Sequence, residues 1–227
     1  IPFVGFGQGW TNTFNYGGEK GTRGYSIKQT TNGDYILGGC WDDNNGSHGI
    51  LLKINTDGTL QWDQLFGMGN NHENFESVEE TNDGGYILCG VKDNPVTDWD
   101  VWLVKTDING NQEWEQHFDL NNTNDEGRSV QQTDDGGYII TGKTDNKIWL
   151  IKTGGNGNQQ WNQILDSTTT NGSKGGYSLE QTSDGGYIIV GISGPGYPCL
   201  IKTDGNGNQQ WTQTFGNPSE NPGTSVQ

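Results

Sequence analysis

Ser129-Val130-Gln131-Gln132-Thr133-Asp134-Asp135-Gly136-Gly137-Tyr138-Ile139-Ile140-Thr141-Gly142 reads as two short β-rich runs joined by a turn. Asp-Gly-Gly between the runs supplies the positive-φ positions that a tight hairpin needs. After a variable loop the pattern resumes at Ile148-Trp149-Leu150-Ile151-Lys152, turns through glycine and asparagine, and ends with Gln159-Gln160-Trp161-Asn162-Gln163-Ile164-Leu165. Four short antiparallel strands in about 50 residues describe one blade of a β-propeller.

The same unit recurs along the chain. Trp10, Trp62, Trp114, Trp161 and Trp211 stand 52, 52, 47 and 50 residues apart. In step with them run Ser26, Ser77, Ser129, Ser178 and Ser225, then Tyr35, Tyr86, Tyr138 and Tyr187, then Lys53, Lys105, Lys152 and Lys202. This periodicity places repeat units at about 26–66, 77–118, 129–165 and 178–215. A partial unit, 216–227, pairs with the lone fourth-strand segment 10–14, and residues 1–9 form an apolar leader. Second and third strands are apolar at successive positions, as in Tyr187-Ile188-Ile189-Val190 and Trp102-Leu103-Val104. A strand with one wet face alternates, whereas a blade covered on both faces by its neighbours does not. The expectation is therefore an all-β propeller: four complete four-stranded antiparallel blades, partial blade strands at both termini, and the first strand of each unit innermost.

Asp-Gly-Gly-Tyr-Ile-Ile, followed by Trp-Leu-Ile-Lys-Thr-Asp-x-Asn-Gly-x-x-x-Trp, resembles a repeat of secreted and surface-anchored bacterial and archaeal β-propeller proteins. The resemblance covers the chain from Trp10 onward and implies an extracellular or cell-surface propeller with no assigned activity. The turn-and-tryptophan half is distantly similar to the tryptophan-docking repeat of quinoprotein-type propellers. That second likeness would imply a redox cofactor, for which no other residue argues.

Composition narrows the function classes. Twelve basic residues stand against 28 acidic ones, a formal charge of −16, so nucleic-acid phosphate and anionic lipid are repelled. No apolar run approaches the roughly 18 residues that span a bilayer. Glycine supplies 38 of 227 residues, too many for a helical fold, since each interior helical glycine costs about 1 kcal/mol. Nine tryptophans among 24 aromatics argue against a disordered coil. Cys40, Cys89 and Cys199 have no metal-ligand spacing and read as small buried hydrophobes. No cleavable signal sequence is visible at Ile1-Pro2-Phe3-Val4-Gly5-Phe6, so an exported protein would be a mature or excised chain.

Each recurrent column has a structural reading. The tryptophans are expected to wedge between blades. Asp83, Asp135 and Asp184 become Asn32 in the first copy, which keeps turn geometry without charge. Gly58, Gly110, Gly157 and Gly207 precede the tryptophans by four residues and mark a positive-φ turn position. The lysines read as charge-paired structural residues with apolar stems. Oxygen-rich Asp-x-Asn-Gly turns at Asp107 and Asn109, and at Asp204 and Asn206, resemble calcium loops locally; calcium is the minority reading, and no cofactor is expected.

Candidate specificity lies in the variable loops. Trp41 and Asp43, following the second strand of the first copy, and Asp98 and Trp99, preceding the third strand of the second, combine an exposed ring with hydrogen-bonding neighbours. Sequons at Asn45, Asn121 and Asn171 are candidate glycan acceptors. His48 and His72 read as solvated loop histidines and His117 as a sheet-edge residue, with no nucleophile motif beside any of them. The incomplete terminal strands leave two possibilities: a segment of a longer propeller, or copies that complete one another. In the second case Ile1, Phe3 and Val4 donate, and Ser225 and Val226 belong to the open edge. The expected function is a non-enzymatic extracellular propeller, a scaffold or interaction module whose partners are other copies of itself or surface proteins. The alternative is a lectin-like propeller that binds glycans.

Overall fold

A computed structural model describes residues 21–67, 72–96, 98–165, 175–193 and 196–216. Among these there are sixteen strands and no helix, grouped in four four-stranded antiparallel sheets that form successive propeller blades. The first blade is β1 (Gly21–Gln29), β2 (Tyr35–Asp42), β3 (Ser47–Ile54) and β4 (Leu60–Phe66). The second is β5 (Glu73–Glu80), β6 (Tyr86–Asn94), β7 (Asp98–Thr106) and β8 (Gln112–Phe118). The third is β9 (Asp125–Gln132), β10 (Tyr138–Thr144), β11 (Lys147–Thr153) and β12 (Gln159–Leu165). The fourth is β13 (Gly175–Gln181), β14 (Tyr187–Ser193), β15 (Tyr197–Thr203) and β16 (Gln209–Thr214). The assembly candidates Ile1, Phe3, Val4, Ser225 and Val226, together with Trp10 and Asn171, lie outside the described residues.

First strands are innermost, as expected: β1 packs beside β5, β5 beside β9, and β9 beside β13. The repeated serines join them. Ser26 Oγ accepts the Val78 N–H at 3.2 Å, Ser77 Oγ accepts that of Val130 at 3.3 Å, and Ser129 Oγ accepts that of Leu179 at 3.4 Å. A second seam ties each first turn to the next blade. Thr31 N donates to Glu80 Oε2 at 2.7 Å, Asn82 N to Gln132 Oε1 at 2.8 Å, and Asp134 N to Gln181 Oε1 at 3.0 Å.

The core lies between blades rather than within one. Ile36 and Leu51 of the first blade are buried against Phe75, Val78 and Trp102 of the second, and the pattern repeats across the next two seams. This explains the continuous apolar runs, because β7 and β11 are covered on both faces. Trp62, Trp114 and Trp161 each lean on the tyrosine of the following blade. Ring centroids are 6.0 Å apart for Trp62 and Tyr86, 5.8 Å for Trp114 and Tyr138, and 6.0 Å for Trp161 and Tyr187. Trp211, in the fourth blade, is 47% exposed.

The lysine and aspartate columns are two halves of one device. Lys105 Nζ lies 2.9 Å from Asp83, Lys152 Nζ 2.9 Å from Asp135, and Lys202 Nζ 2.9 Å from Asp184, each within its own blade. The aspartates also cap their turns, Asp135 Oδ1 accepting from Thr133 Oγ1 at 2.5 Å and from Gly137 N at 3.0 Å. Where Asn32 replaces the aspartate, Lys53 turns instead to Thr30 Oγ1 at 3.1 Å and to the next blade's Tyr86 hydroxyl at 3.0 Å. Cys40, Cys89 and Cys199 are buried, as read from the sequence.

Three loop readings need correction. Asp98 and Trp99 do not precede the third strand of the second blade but begin it, since β7 starts at Asp98 and pairs there with the end of β6. Trp41 and Asp42 do not follow the second strand but end it, since β2 runs on to Asp42. His48 is not a solvated loop residue: it sits in β3, 2% exposed, because the Asp43–Gly46 turn is tight enough to start the strand at Ser47. His72 is exposed, and His117 lies on the outer strand β8 beside Glu115 at 3.4 Å.

Candidate functional site at one end of the axis

A β-bulge in every first strand decides what faces the axis. The ladder skips Tyr25 in β1, Glu76 in β5, Arg128 in β9 and Tyr177 in β13, each the residue before a repeated serine. A bulge re-aims its side chain, and here it leaves the four residues free to differ while their neighbours repeat. All four line an axial cavity of about 560 Å³ walled by the inner strands. Arg128 lies over the Tyr177 ring, 4.4 Å from its centroid.

Tyr25 and Glu76 also border a second cavity of about 420 Å³, where the inner strands begin. Its wall is completed by Arg23, Glu73, Asn74, Trp99 and Glu126, with Cys40, Ser47, His72 and Val91 between them. Three blades contribute, so the site exists only in the packed propeller. Trp99, 37% exposed, enters from the start of β7, and Tyr25, 43% exposed, from β1. Opposite Arg23 in the β1–β2 register stands Cys40, whose thiol lies 3.7 Å from both the Arg23 guanidinium and the Tyr25 hydroxyl. Burial pushes that thiol up.

The charges of the wall are unevenly compensated. Arg23 pairs with Asp42 at 2.6 Å. Burial would raise the Glu126 carboxyl, but hydrogen bonds from Lys143 at 2.6 Å and Arg128 at 2.9 Å outweigh it and hold the group below its ordinary range. Glu73 is different. It is 2% exposed, Oε2 has no hydrogen-bond partner among the described residues, and burial raises its carboxyl to about 7. His48 Nδ1 stands 3.7 Å from that oxygen and 3.1 Å from Gly67 O. Glu76 is raised by burial too, against a hydrogen bond from Asn74 Nδ2 at 2.7 Å. Asn74 Oδ1 is buried with no donor among the described residues.

The four loop residues singled out in the sequence are separated. Trp99 reaches the cavity, whereas Trp41 packs its ring on His48 at 5.4 Å and joins the apolar cluster of Ile50, Leu52 and Ile54. Asp43 accepts from Asn45 N at 2.7 Å and Gly46 N at 3.0 Å, and faces His48 Nε2 at 3.3 Å, so it organises a turn. Asp98 has φ 73°, and the Asn124 amide, turned with its nitrogen toward the carboxylate, donates to both oxygens. The calcium candidates are occupied by their own turns. Asp107 Oδ1 accepts from Asn109 N at 2.8 Å and Asn111 N at 2.9 Å; Asp204 Oδ1 accepts from Asn206 N and Asn208 N, both at 2.9 Å. Among the described residues no three His, Cys, Asp or Glu side chains converge. Asn45 and Asn121 are exposed. Tyr25, Glu73 and Glu76 were missed in the sequence. The available signal for Tyr25 and Glu76 was the one column beside the repeated serine that varies, reading Tyr, Glu, Arg, Tyr.

No protein-family model matches the chain, and no curated protein matches it in sequence. Solved structures do resemble it. A protein of unknown function from Bacteroides caccae gives a TM-score of 0.54 at 13% identity, covering 86% of this chain and 68% of its own. A subtype N10 neuraminidase-like protein of an A/little yellow-shouldered bat/Guatemala isolate gives 0.50 at 10% identity, over 80% of this chain and 64% of its own. At such identities the likeness concerns architecture alone, and the architecture is an all-β propeller.

Proposed function

We propose that this chain is a non-enzymatic, extracellular binding propeller, and that the cavity at the start of the inner strands takes a saccharide. The observation that carries the reading is Trp99: a partly exposed indole on the wall of a cavity of about 420 Å³ that is otherwise rich in hydrogen-bonding side chains. A sugar ring offers an apolar face for stacking and a rim of hydroxyls for polar groups, and such sites combine an aromatic surface with a few placed polar atoms. The volume falls in the ordinary range for small-molecule sites, about 300 to 1,000 Å³. The scaffold reading, with surface proteins or other copies as partners, needs no such cavity. A glycan array probed with the wild type, Trp99→Ala and Trp41→Ala tests the choice. Specific binding lost in Trp99→Ala and kept in Trp41→Ala supports the saccharide site; no specific binding by the wild type returns the chain to the scaffold class.

A further inference from the structure

The acceptors on the cavity wall lack donors in a pattern that narrows the ligand. Resting on the saccharide reading, we propose that the cavity recognises the protonated amine of an amino sugar through Glu73, Asn74 and Glu76, with Trp99 against the ring. The argument begins with what each wall group already holds. Arg23 is taken by Asp42 at 2.6 Å, and Glu126 by Lys143 at 2.6 Å and Arg128 at 2.9 Å, so each of these two carboxylates already holds a cation. Among the described residues neither Glu73 nor Glu76 forms an ion pair with a lysine or arginine; Arg128, committed to Glu126, acts on Glu76 only as a neighbouring charge. Lys92, the cation nearest Glu73 in electrostatic effect, is held by Glu115 at 3.3 Å.

Glu73 Oε2 is the decisive atom. Its residue is 98% buried and lines the cavity, yet the oxygen has no donor among the described residues, and the His48 ring nitrogen beside it is spent on Gly67 O. Asn74 Oδ1, on the same wall, is equally without a donor, its amide nitrogen being given to Glu76. A buried acceptor left unmade is costly, and a ligand that supplies the donor removes that cost. Three acceptor-bearing groups on one wall match an ammonium, which has three donors and no acceptor. A neutral hydroxyl satisfies one acceptor and brings a lone pair against the others. An N-acetyl group removes the charge and two donors, and adds a carbonyl facing carboxyls. Burial raises the Glu73 and Glu76 carboxyls, and a bound cation would favour their ionised forms.

Calorimetric titration of the 227-residue chain at pH 7 with the β-1,4 disaccharide of glucosamine, its N-acetylated form and cellobiose tests this. The free-amine sugar is expected to bind about tenfold or more tighter than either of the others, the size of one charge-assisted contact. Glu76→Gln should remove most of that preference, and Trp99→Ala should weaken all three sugars together. Equal affinity for the three overturns the amine proposal and leaves the saccharide reading standing. Binding of none of them overturns the amine proposal and, with an empty glycan array, the reading as well. Amine binding that survives both substitutions unchanged belongs to the acidic surface at large and also overturns the proposal. The comparison among sugars uses the wild type, so it holds even where a variant fails to fold.

Discussion

Trp114 lies so close over Gly157 that a Cβ at position 157 would fall 2.6 Å from the indole ring. The same relationship joins Trp62 to Gly110 at 2.7 Å and Trp161 to Gly207 at 2.5 Å. The turn glycine therefore serves two needs: its own φ, 79° at Gly157, and the approach of the preceding blade's wedge.

The two needs can be measured apart. Gly136 has φ 78° and open space around its would-be Cβ, so Gly136→Ala should cost about 1 to 2 kcal/mol, the left-handed penalty alone. Gly157→Ala carries the same penalty plus overpacking against the ring, about 1 to 3 kcal/mol more. In a Trp114→Ala background the part of that excess due to the ring should vanish, leaving only what the flexible Gln116 side chain, 2.8 Å from the added Cβ, contributes. Urea unfolding of the four chains gives the cycle, and equal costs at 136 and 157 would refute the contact's role.

Truncating the wedges should depend on what they face. Trp161→Ala removes a ring packed on Tyr187 and should cost about 3 to 5 kcal/mol. Trp211→Ala, at a site 47% exposed, should cost about 1 kcal/mol. Matching losses of melting temperature would mean that the column has one environment throughout.

How much of this was legible follows from what repeats. The blades, the wedge tryptophans and the innermost first strands could be read because identical residues recur at a fixed period. The Asp135–Lys152 pair was visible as two columns but not as a contact, since the hairpin that folds β11 back beside β10 is a three-dimensional fact. His48 was misread because a tight Asp43 turn extends the strand into what the sequence shows as a polar loop. Glu73 stands outside the repeat, and its burial depends on a neighbouring blade, so no local pattern marks it. The bulge column was there to be read, as variation where all around it is constant.

Asp135→Asn should destabilise by about 1 to 2 kcal/mol. Lys152 is 4% exposed and would lose its carboxylate, but the Asp135 side chain is 58% exposed, so water screens much of the pair. Hydrogen bonds from Thr133 and Lys152 outweigh burial and hold Asp135 at about 2. A lowered carboxyl stabilises the fold above its unfolded value of 3.8 and loses that contribution as pH falls toward 2. Acid titration of the melting temperature should therefore be shallower in Asp135→Asn between about pH 4 and 2. A wild-type slope unchanged by the substitution would remove the pair from the acid transition.

Chelation offers a simpler check. The oxygens of Asp107 and Asp204 are filled by turn N–H groups, so excess EDTA should leave the melting temperature where it was. A drop of several degrees would restore calcium to these turns.

Glu73 works in the opposite sense to Asp135. Its carboxyl is raised from 4.5 to about 7, chiefly by burial; Lys92 and His48 oppose the rise, and Asp93 and Glu115 add to it. A raised carboxyl contributes its full stability below the unfolded value and loses it as pH climbs through the folded one, because the unfolded chain ionises first. Relative to Glu73→Gln, which keeps the shape and never ionises, the wild type should lose stability between about pH 4.5 and 7 and hold a constant deficit beyond. Calorimetric melting of both chains from pH 4 to 8.5 shows the step directly, and a difference that stays flat across that range would mean that Glu73 does not titrate as its burial requires. The amine proposal adds a second expectation to the same curve. A cation held beside the carboxyl favours its ionised form, so saturating glucosamine disaccharide should move the step to lower pH, whereas cellobiose should leave it in place.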